Sequence, residues 1–368
     1  MLDFTNKAEC EEARKRRGDE LRRLSFLPVV LYGAGVYAKE LAEFLASINI
    51  PVSDYVVDGA FVSRAHVTEK APISFSALAS KYHDVNILIA YQADPETTSR
   101  TLREKGPACI RRIDTVDCRS WKQFEILNAQ KLEDDKGKYY QVMNWLQDDV
   151  SKSVFREYIL AKLLYDSSEL RKLKSMRQYF PNDLPWFQVE PDDVVVDAGA
   201  FTGDTLAELV DVSNGRGCRK YYAFEPSHEN LVKLREFVDK QQLVYASVVA
   251  SGLWNEATQL SFKEGDGSAS TVASDGEITI PVVTLDSLDI PATFIKMDIE
   301  GSEQRALLGA KETISRLRPN LAICLYHKPE DLLDIPVLIK SLCSEYRLYL
   351  RIHSFWSEEL VLYATVRE

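Results

Sequence analysis

Residues 194–205 read VVVDAGAFTGDT, and this stretch decides the fold of the C-terminal half of the chain. Three valines run into Asp197, and two glycines follow at Gly199 and Gly203, before an amphipathic segment. The pattern predicts a buried parallel strand, a glycine turn and the start of a helix. Glycines let the backbone pass close to a ligand, and N–H groups at a helix start attract an anionic group. We therefore expect a binding site at this turn.

The spacing of the two glycines indicates which ligand the turn binds. It is Gly-x-x-x-Gly, whereas the turn that clamps the pyrophosphate of a dinucleotide reads Gly-x-Gly-x-x-Gly. A looser turn preceded by an acid favours a smaller zwitterionic ligand such as S-adenosylmethionine. An ordinary strand–helix turn in an α/β domain is the alternative interpretation.

Length and charge restrict the class of protein. A chain of 368 residues is longer than a single domain usually is, so we expect two domains. The formal net charge of −11 argues against a nucleic acid or an anionic membrane as the main partner, because both require a basic surface. Six scattered cysteines without a Cys-x-x-Cys pair indicate neither a disulfide framework nor a zinc site. With a highly charged segment at 9–23 and no apolar run of ~20 residues, we expect a cytoplasmic protein.

The N-terminal region contains a second glycine turn. A predicted strand at 29–32 is followed by Gly33–Ala38, which reads Gly-x-Gly-x-x-Ala, and a second strand at 52–57 ends at Asp58. This pattern is close to the dinucleotide fingerprint, in which the acid binds a ribose. The turn could bind a nucleotide or nucleotide-sugar, or the glycines could serve only close packing of helix on strand.

The regular alternation of strands and helices after residue 189 predicts a seven-stranded sheet. The expected strands are Val194–Asp197, Tyr221–Phe224, Val244–Val249, Thr293–Asp298, Leu321–Tyr326, Leu348–His353 and Leu360–Val366. A short turn at 357–359 makes the last pair antiparallel. A sheet that is parallel except for a reversed last strand is the architecture of class I methyltransferases. We therefore predict an α/β fold with a Rossmann-like domain at 1–117, a helical connector or lid at 118–188 and a methyltransferase domain at 189–368.

Side chains at the ends of two predicted strands are candidates for catalysis. Lys296, Asp298 and Glu300 lie at one strand end and His327 at the next. The acids could bind the cofactor's ammonium group, deprotonate a substrate hydroxyl or hold a divalent cation. His327 could be a general base, and Lys296 could stabilise developing negative charge. Glu303 lies in a first helical turn, where a negative charge is favoured without any chemistry.

Four stretches of this region carry a family resemblance. They are residues 190–205, 224–226 (FEP), 294–301 (FIKMDIEG) and 326–327 (YH). Together they resemble FkbM-type S-adenosylmethionine-dependent methyltransferases, over about residues 150–368. The resemblance implies methyl transfer to a hydroxyl oxygen on sugars or secondary metabolites. It places cofactor contacts at Asp197, Gly199, Gly203 and Glu225, and acceptor contacts at Asp298, Glu300 and His327.

The sequence therefore predicts an O-methyltransferase acting on a hydroxyl of a sugar, glycan or secondary metabolite. The expected cofactor-binding residues are Asp197, Ala198, Gly199, Thr202, Gly203, Asp204, Glu225, Pro226 and Ser251. We assign no metal ligands, expect a small-molecule or glycan partner without nucleic acid or membrane, and leave a homo-oligomer open. The alternatives are a nucleotide-sugar oxidoreductase or epimerase that uses Gly33–Ala38, and a non-enzymatic nucleotide-binding module.

Overall fold

The computed structural model describes residues 3–64, 66–263, 271–272, 276 and 278–367. The chain forms two compact units. Unit 1 consists of Met1–Gly137, Ser153–Lys174 and Ser354–Glu358, and unit 2 of Lys138–Lys152, Ser175–His353 and Glu359–Glu368. Residues 118–188, which the sequence predicts to form a connector, are divided between the units. Their apolar side chains explain the division, because Trp121 packs in the core of unit 1 whereas Phe180 and Phe187 pack in the core of unit 2.

Unit 1 is an α/β unit built around a parallel sheet. Its strands are β1 (Val29–Tyr32), β2 (Val52–Val57), β3 (Ile73–Ser74), β4 (Val85–Ile89) and β5 (Ile110–Thr115). Its helices are α1 (Lys7–Leu24), α2 (Val36–Ser47), α3 (Phe75–Lys81), α4 (Pro95–Lys105), α5 (Trp121–Phe124) and α6 (Ala129–Asp134). The described strands lie in the order β3-β2-β1-β4-β5, and every pairing is parallel.

The fifth strand of this sheet has no counterpart in the sequence analysis. β5 is an edge strand in which Arg111 and Arg112 are exposed, so it lacks the run of buried residues that marks β1 and β4. Central parallel strands are buried on both faces and are therefore easier to find in a sequence than edge strands. The strands at 29–32 and 52–57 have the predicted bounds.

Two helices, α7 (Lys136–Trp145) and α8 (Asp149–Leu164), contain residues of both units. The strands of unit 2 are β6 (Val194–Ala198), β7 (Lys220–Phe224), β8 (Ala246–Val249), β9 (Gly252–Leu253), β10 (Thr258–Lys263), β11 (Thr271–Val272), β12 (Ile278–Val283), β13 (Phe294–Met297), β14 (Asn320–Cys324), β15 (Arg347–Ile352) and β16 (Leu360–Thr365). Its further helices are α9 (Asp204–Val212), α10 (His228–Lys240), α11 (Glu303–Leu308), α12 (Lys311–Leu317) and α13 (Asp331–Leu342).

The main sheet of unit 2 has the order β15-β16-β14-β13-β6-β7-β8 in the described residues. Its neighbouring strands pair in parallel except for β16, which is antiparallel to both β14 and β15. The expected short turn before β16 is wrong. The connection runs from His353 to Glu359, and Trp356 within it is buried in the core of unit 1. The predicted mixed α/β fold with parallel sheets is confirmed.

A second, smaller sheet of unit 2 has the order β11-β10-β12-β9 where it is described. It pairs β10 with β12 antiparallel. In the part of the chain that the structure describes, none of the helices has both the length and the apolar character that crossing a bilayer requires.

Candidate active site

A cavity of about 280 Å³ opens in unit 2 at the carboxyl ends of β6, β7, β13 and β14. Its walls include Gly199 after β6, Glu225 after β7, Asp298 after β13 and Tyr326 after β14. In an open parallel sheet, ligands bind beyond these strand ends, at the point where the strand order reverses. The reversal falls at β6, because β7 pairs with one side of this strand and β13 with the other.

The cavity gathers many of the residues that the sequence predicts for the site. The predicted residues in its lining are Gly199, Asp204, Glu225, Pro226, Lys296, Asp298 and Glu300. Other predicted residues are described in the structure but do not belong to the lining, namely Asp197, Ala198, Thr202, Gly203, Ser251 and His327. The structure therefore separates residues that can touch a ligand from residues that hold those residues in place.

Glu225 connects the end of β7 to the glycine turn. Its Oε2 accepts a hydrogen bond from the backbone N–H of Phe201 at 2.9 Å, and its Oε1 accepts one from the backbone N–H of Ser227 at 2.9 Å. Burial raises the pKa of this carboxyl, which is 5% exposed. The carboxylate thus holds the turn at Phe201, a residue with a left-handed φ of 46°, while it lines the cavity.

The glycines of the turn are required mainly by contacts within the protein. A Cβ atom on Gly199, whose φ is +79°, would lie 1.9 Å from the carbonyl oxygen of Asp298. One on Gly203, whose φ is +95°, would lie 2.8 Å from Cδ1 of Phe237. Gly203 therefore allows close packing of α9 against α10, and its contact with the cofactor stays a prediction.

Asp197 and Lys296 form a buried ion pair beneath the turn. Lys296 Nζ lies 2.9 Å from Asp197 Oδ1, and the hydroxyl of Tyr221 donates to Asp197 Oδ2 at 2.6 Å. The same Nζ donates to the carbonyl oxygen of Gly199 at 2.6 Å. Burial opposes the charge on Lys296, but Asp197 and Asp298 outweigh it and raise the pKa of the ammonium. Asp197 is therefore paired inside the protein and lies outside the described lining of the cavity, and its contact with the cofactor stays a prediction.

Three other predicted cofactor residues lie outside the described lining of the cavity. Ser251 is buried and its hydroxyl donates to the carbonyl oxygen of Pro281 at 3.0 Å, so it ties β8 to the small sheet. Ala198 is the fully buried last residue of β6, and its carbonyl oxygen lies 3.3 Å from Lys296 Nζ. Thr202 is half-buried in the turn and is not part of the cavity wall.

Asp298 is the acid that two tyrosines present to the cavity. Tyr179 donates to its Oδ2 at 2.8 Å, and Tyr326 donates to its Oδ1 at 3.2 Å. Burial opposes ionisation, but the positive charges of His327 and Lys296 outweigh it and lower the pKa of the carboxyl. Asp298 is therefore an ionised hydrogen-bond acceptor in a fixed orientation.

His327 lies behind this acid and contacts three carboxylates. Its Nδ1 lies 3.0 Å from Oε1 of Glu303, and its Nε2 lies 3.3 Å from Oδ1 of Asp298 and 3.4 Å from Oε2 of Glu300. Burial opposes protonation, but these acids outweigh it and raise the pKa of the imidazole to about 10. An imidazole that is already protonated at neutral pH cannot accept a proton, so this environment argues against a general base here, and the role of His327 stays a prediction.

Asp298, Glu303 and His327 are also the described residues best placed to hold a metal ion, since each offers one ligand atom within 4.8 Å of the others. The two ring nitrogens of His327 nevertheless face different carboxylates. A metal ion uses one nitrogen and leaves the other to a different partner, whereas an imidazolium donates through both. The geometry thus favours a buried imidazolium between the acids.

Comparisons with known proteins agree with this arrangement. Residues 197–357 match the family model of the methyltransferase FkbM domain. These residues are an FkbM methyltransferase domain. The protein is thus an enzyme of the methyltransferase class, and the predicted family is confirmed. No curated protein matches the sequence.

Solved structures resemble the chain in fold. The crystal structure of the methyltransferase FkbM from Methylobacillus flagellatus KT has 22% sequence identity and a TM-score of 0.69, and the match covers 97% of this chain and 100% of that chain. An rRNA methylase from Streptococcus thermophilus has 16% identity and a TM-score of 0.35, over 50% of this chain and 93% of that chain. A SAM-dependent methyltransferase from Aquifex aeolicus has 18% identity and a TM-score of 0.31, over 55% and 99%.

The FkbM domain does not supply the whole cavity. Gln178 and Tyr179 precede the matched residues and Glu359 follows them, yet all three line the cavity. The apolar side of the wall comes from the domain's small sheet, where Ile280 and Val282 are buried. Sequence reasoning did not find these residues, because their positions depend on contacts between distant segments and no local motif marks them. The sequence also gives no sign that the buried acid Glu303 contacts His327, because a negative charge is favoured in the first turn of any helix.

Proposed function

We propose that unit 2 binds S-adenosylmethionine in the cavity and transfers its methyl group to a hydroxyl oxygen of a small molecule or glycan. The observation that carries this proposal is one cavity that joins the carboxylate of Glu225 at one strand end to that of Asp298 at another. The strand order of the main sheet, with β16 reversed, supports assignment to the class I methyltransferases. The FkbM domain supports the reaction type.

The residues of the wall fit this cofactor. Glu225 offers carboxylate oxygens to the two hydroxyls of a ribose. Leu253, Ile280 and Val282 provide an apolar surface for an adenine ring. Asp204, in the first turn of α9, provides a negative charge for the ammonium group of the amino-acid portion.

The chemistry then depends on the far end of the cavity. When bound, S-adenosylmethionine supplies a methyl group that is already reactive, so the protein has mainly to align the acceptor oxygen. A hydroxyl oxygen becomes strongly acidic as its new bond to carbon forms, and even a carboxylate of low pKa can then take the proton. Asp298, ionised and fixed by the hydroxyls of Tyr179 and Tyr326, is the acceptor of that proton in our proposal. Glu300 is a second carboxylate in the same wall.

Titration calorimetry with S-adenosylmethionine tests the cofactor assignment. We expect the wild type to bind and Glu225→Ala to bind at least tenfold more weakly, because the variant loses the ribose contact and the hydrogen bond to Phe201. Glu236→Ala, an exposed acid on α10, is the matched control. Absence of binding by the wild type, or equal affinities of the two variants, would contradict the proposal.

The acceptor is found by transfer of a labelled methyl group from S-adenosylmethionine to a panel of sugars, glycans and hydroxylated metabolites. Mass spectrometry of the product locates the methyl group on oxygen, nitrogen or carbon. A product methylated on nitrogen would show that the site binds the cofactor but that the hydroxyl assignment is wrong.

A further inference from the structure

Unit 1 contains a cavity that methyl transfer does not use. It has a volume of about 330 Å³ and lies at the carboxyl ends of β1 and β2, where Tyr32, the turn Gly33–Gly35 and Asp58 form its wall. We propose that this cavity binds a ribonucleoside diphosphate, either free or as part of a larger nucleotide. The proposal does not depend on the function proposed for unit 2.

The sheet places the cavity where such ligands bind. In the order β3-β2-β1-β4-β5, β1 pairs with β2 on one side and β4 on the other, so the strand order reverses at β1. Tyr91, which follows β4, reaches the same cavity as Asp58, which follows β2. Crevices at this reversal are the general ligand site of open α/β sheets.

Different physical constraints explain the glycines at the two positions of the turn. A Cβ atom on Gly33, whose φ is +134°, would lie 2.4 Å from the carbonyl oxygen of Ala90, so the packing of the sheet requires this glycine. A Cβ atom on Gly35 would have no described heavy atom within 4 Å, and its φ of −90° suits any residue. Nothing described in the protein thus requires a glycine at position 35. In a phosphate-binding turn the second glycine is needed so that the ligand can approach the backbone.

The start of α2 is arranged for an anion. Gly35 is the cap residue, and none of the described side chains caps the helix there. The helix start thus has no described side-chain cap and lies beside the open space at Gly35, where N–H groups and the helix dipole stabilise a diphosphate. Arg64, in the same cavity wall, adds a positive charge.

Asp58 and the aromatic wall fit the nucleoside. Asp58 is exposed at the end of β2, and its Oδ2 accepts from the hydroxyl of Tyr32 at 2.9 Å, which orients the carboxylate. Phe61 lines the cavity and is 45% exposed, and Val36, next to the turn, is 58% exposed. Exposed apolar side chains beside an anion-binding turn suit a ligand with one charged end and one flat apolar end, which is what a nucleoside diphosphate offers.

Calorimetric titration of the full chain with ADP, UDP and GDP tests the proposal. We expect at least one to bind with a Kd below about 1 mM. Gly35→Val, whose side chain enters the open space, should weaken binding at least tenfold without lowering the melting temperature. Gly33→Ala should lower the melting temperature, because its Cβ atom has no room. Asp58→Asn should weaken binding and remove the preference for the ribonucleotide over its 2′-deoxy analogue, whereas Glu104→Gln, an exposed acid on α4, should do neither.

Two results would overturn the proposal. One is the absence of binding by ADP, UDP and GDP at that concentration. The other is binding that Gly35→Val and Asp58→Asn leave intact but Glu225→Ala removes, which would place the nucleotide in unit 2. UDP-glucose and NADH, titrated in the same way, separate a nucleotide-sugar from a dinucleotide as the larger ligand.

Discussion

Replacement of His327 by glutamine tests whether this imidazole is a permanent cation. The ring lies between Glu303 at 3.0 Å and Asp298 at 3.3 Å, and the acids around it raise its pKa from 6.5 to about 10. Glutamine keeps a similar size and can donate a hydrogen bond, but it carries no charge. The variant therefore removes the positive charge from the cluster with little change in volume.

The size of the effect follows from the two pKa values. A group whose pKa is higher in the folded state stabilises the fold fully below its unfolded pKa, and this contribution is lost as the pH rises towards the folded pKa. With values of 6.5 and about 10, protonation of His327 contributes about 4 kcal/mol at pH 7 and about 1.4 kcal/mol at pH 9. The difference in unfolding free energy between wild type and His327→Gln should therefore shrink by about 2.5 kcal/mol over this range.

Urea unfolding of both proteins at several pH values between 7 and 9 measures that difference. His228→Gln is the matched control. It replaces an exposed histidine at the start of α10 and leaves His327 unchanged. NMR of histidine-labelled protein should show the His327 ring still protonated at pH 8. A free-energy difference that stays within about 0.5 kcal/mol across the range, or a neutral ring at pH 8, would refute the reasoning.

Asp298→Asn should lower the rate of methyl transfer by about 10²–10⁴-fold, because the amide cannot accept the proton. The Kd for S-adenosylmethionine should change less than about tenfold. Kinetics and calorimetry on one preparation separate the two effects. Arg351→Met should lower the unfolding free energy by about 3 kcal/mol, since this guanidinium is 2% exposed and contacts two aspartates at 2.5 and 2.7 Å. Urea unfolding checks it beside Arg235→Met, an exposed site expected to stay within about 0.5 kcal/mol of wild type. EDTA should change neither the melting temperature nor the binding of S-adenosylmethionine, because His327 directs its two nitrogens to different acids. A lower melting temperature or weaker binding after chelation would contradict a buried imidazolium.

The central strands of both sheets could be predicted from the sequence because they are buried on both faces. β6, β13 and β14 are mostly apolar and buried at every residue. Edge strands and connections could not be predicted equally well. β5 exposes two arginines, and the loop before β16 contains Trp356, whose burial depends on a core formed by distant residues. Local patterns report local burial, whereas these elements are determined by contacts between distant segments.

The candidate site could be predicted as a set of positions but not as a set of roles. The sequence places Glu225 and Asp298 at strand ends, and the structure brings both to one cavity. It cannot show that Asp197 is neutralised by Lys296, or that His327 is surrounded by acids, because an ion pair depends on three-dimensional distances. The role of a titratable residue follows from its partners, and these partners come from other segments of the chain.

The charges of the two cavities differ in the direction that their proposed ligands require. Five acids and one base contribute side chains to the described lining of the cavity in unit 2, and the base, Lys296, is already paired with Asp197. Burial of such acids costs free energy, as the raised pKa of Glu225 indicates, and a ligand with a sulfonium and an ammonium group reduces that cost. The described lining of the cavity in unit 1 instead combines Arg64 with one carboxylate, that of Asp58, beside a helix start that no described side chain caps. An anionic ligand is favoured there and disfavoured in unit 2, so a nucleoside diphosphate and a cationic methyl donor can be bound by one chain without competing for one site.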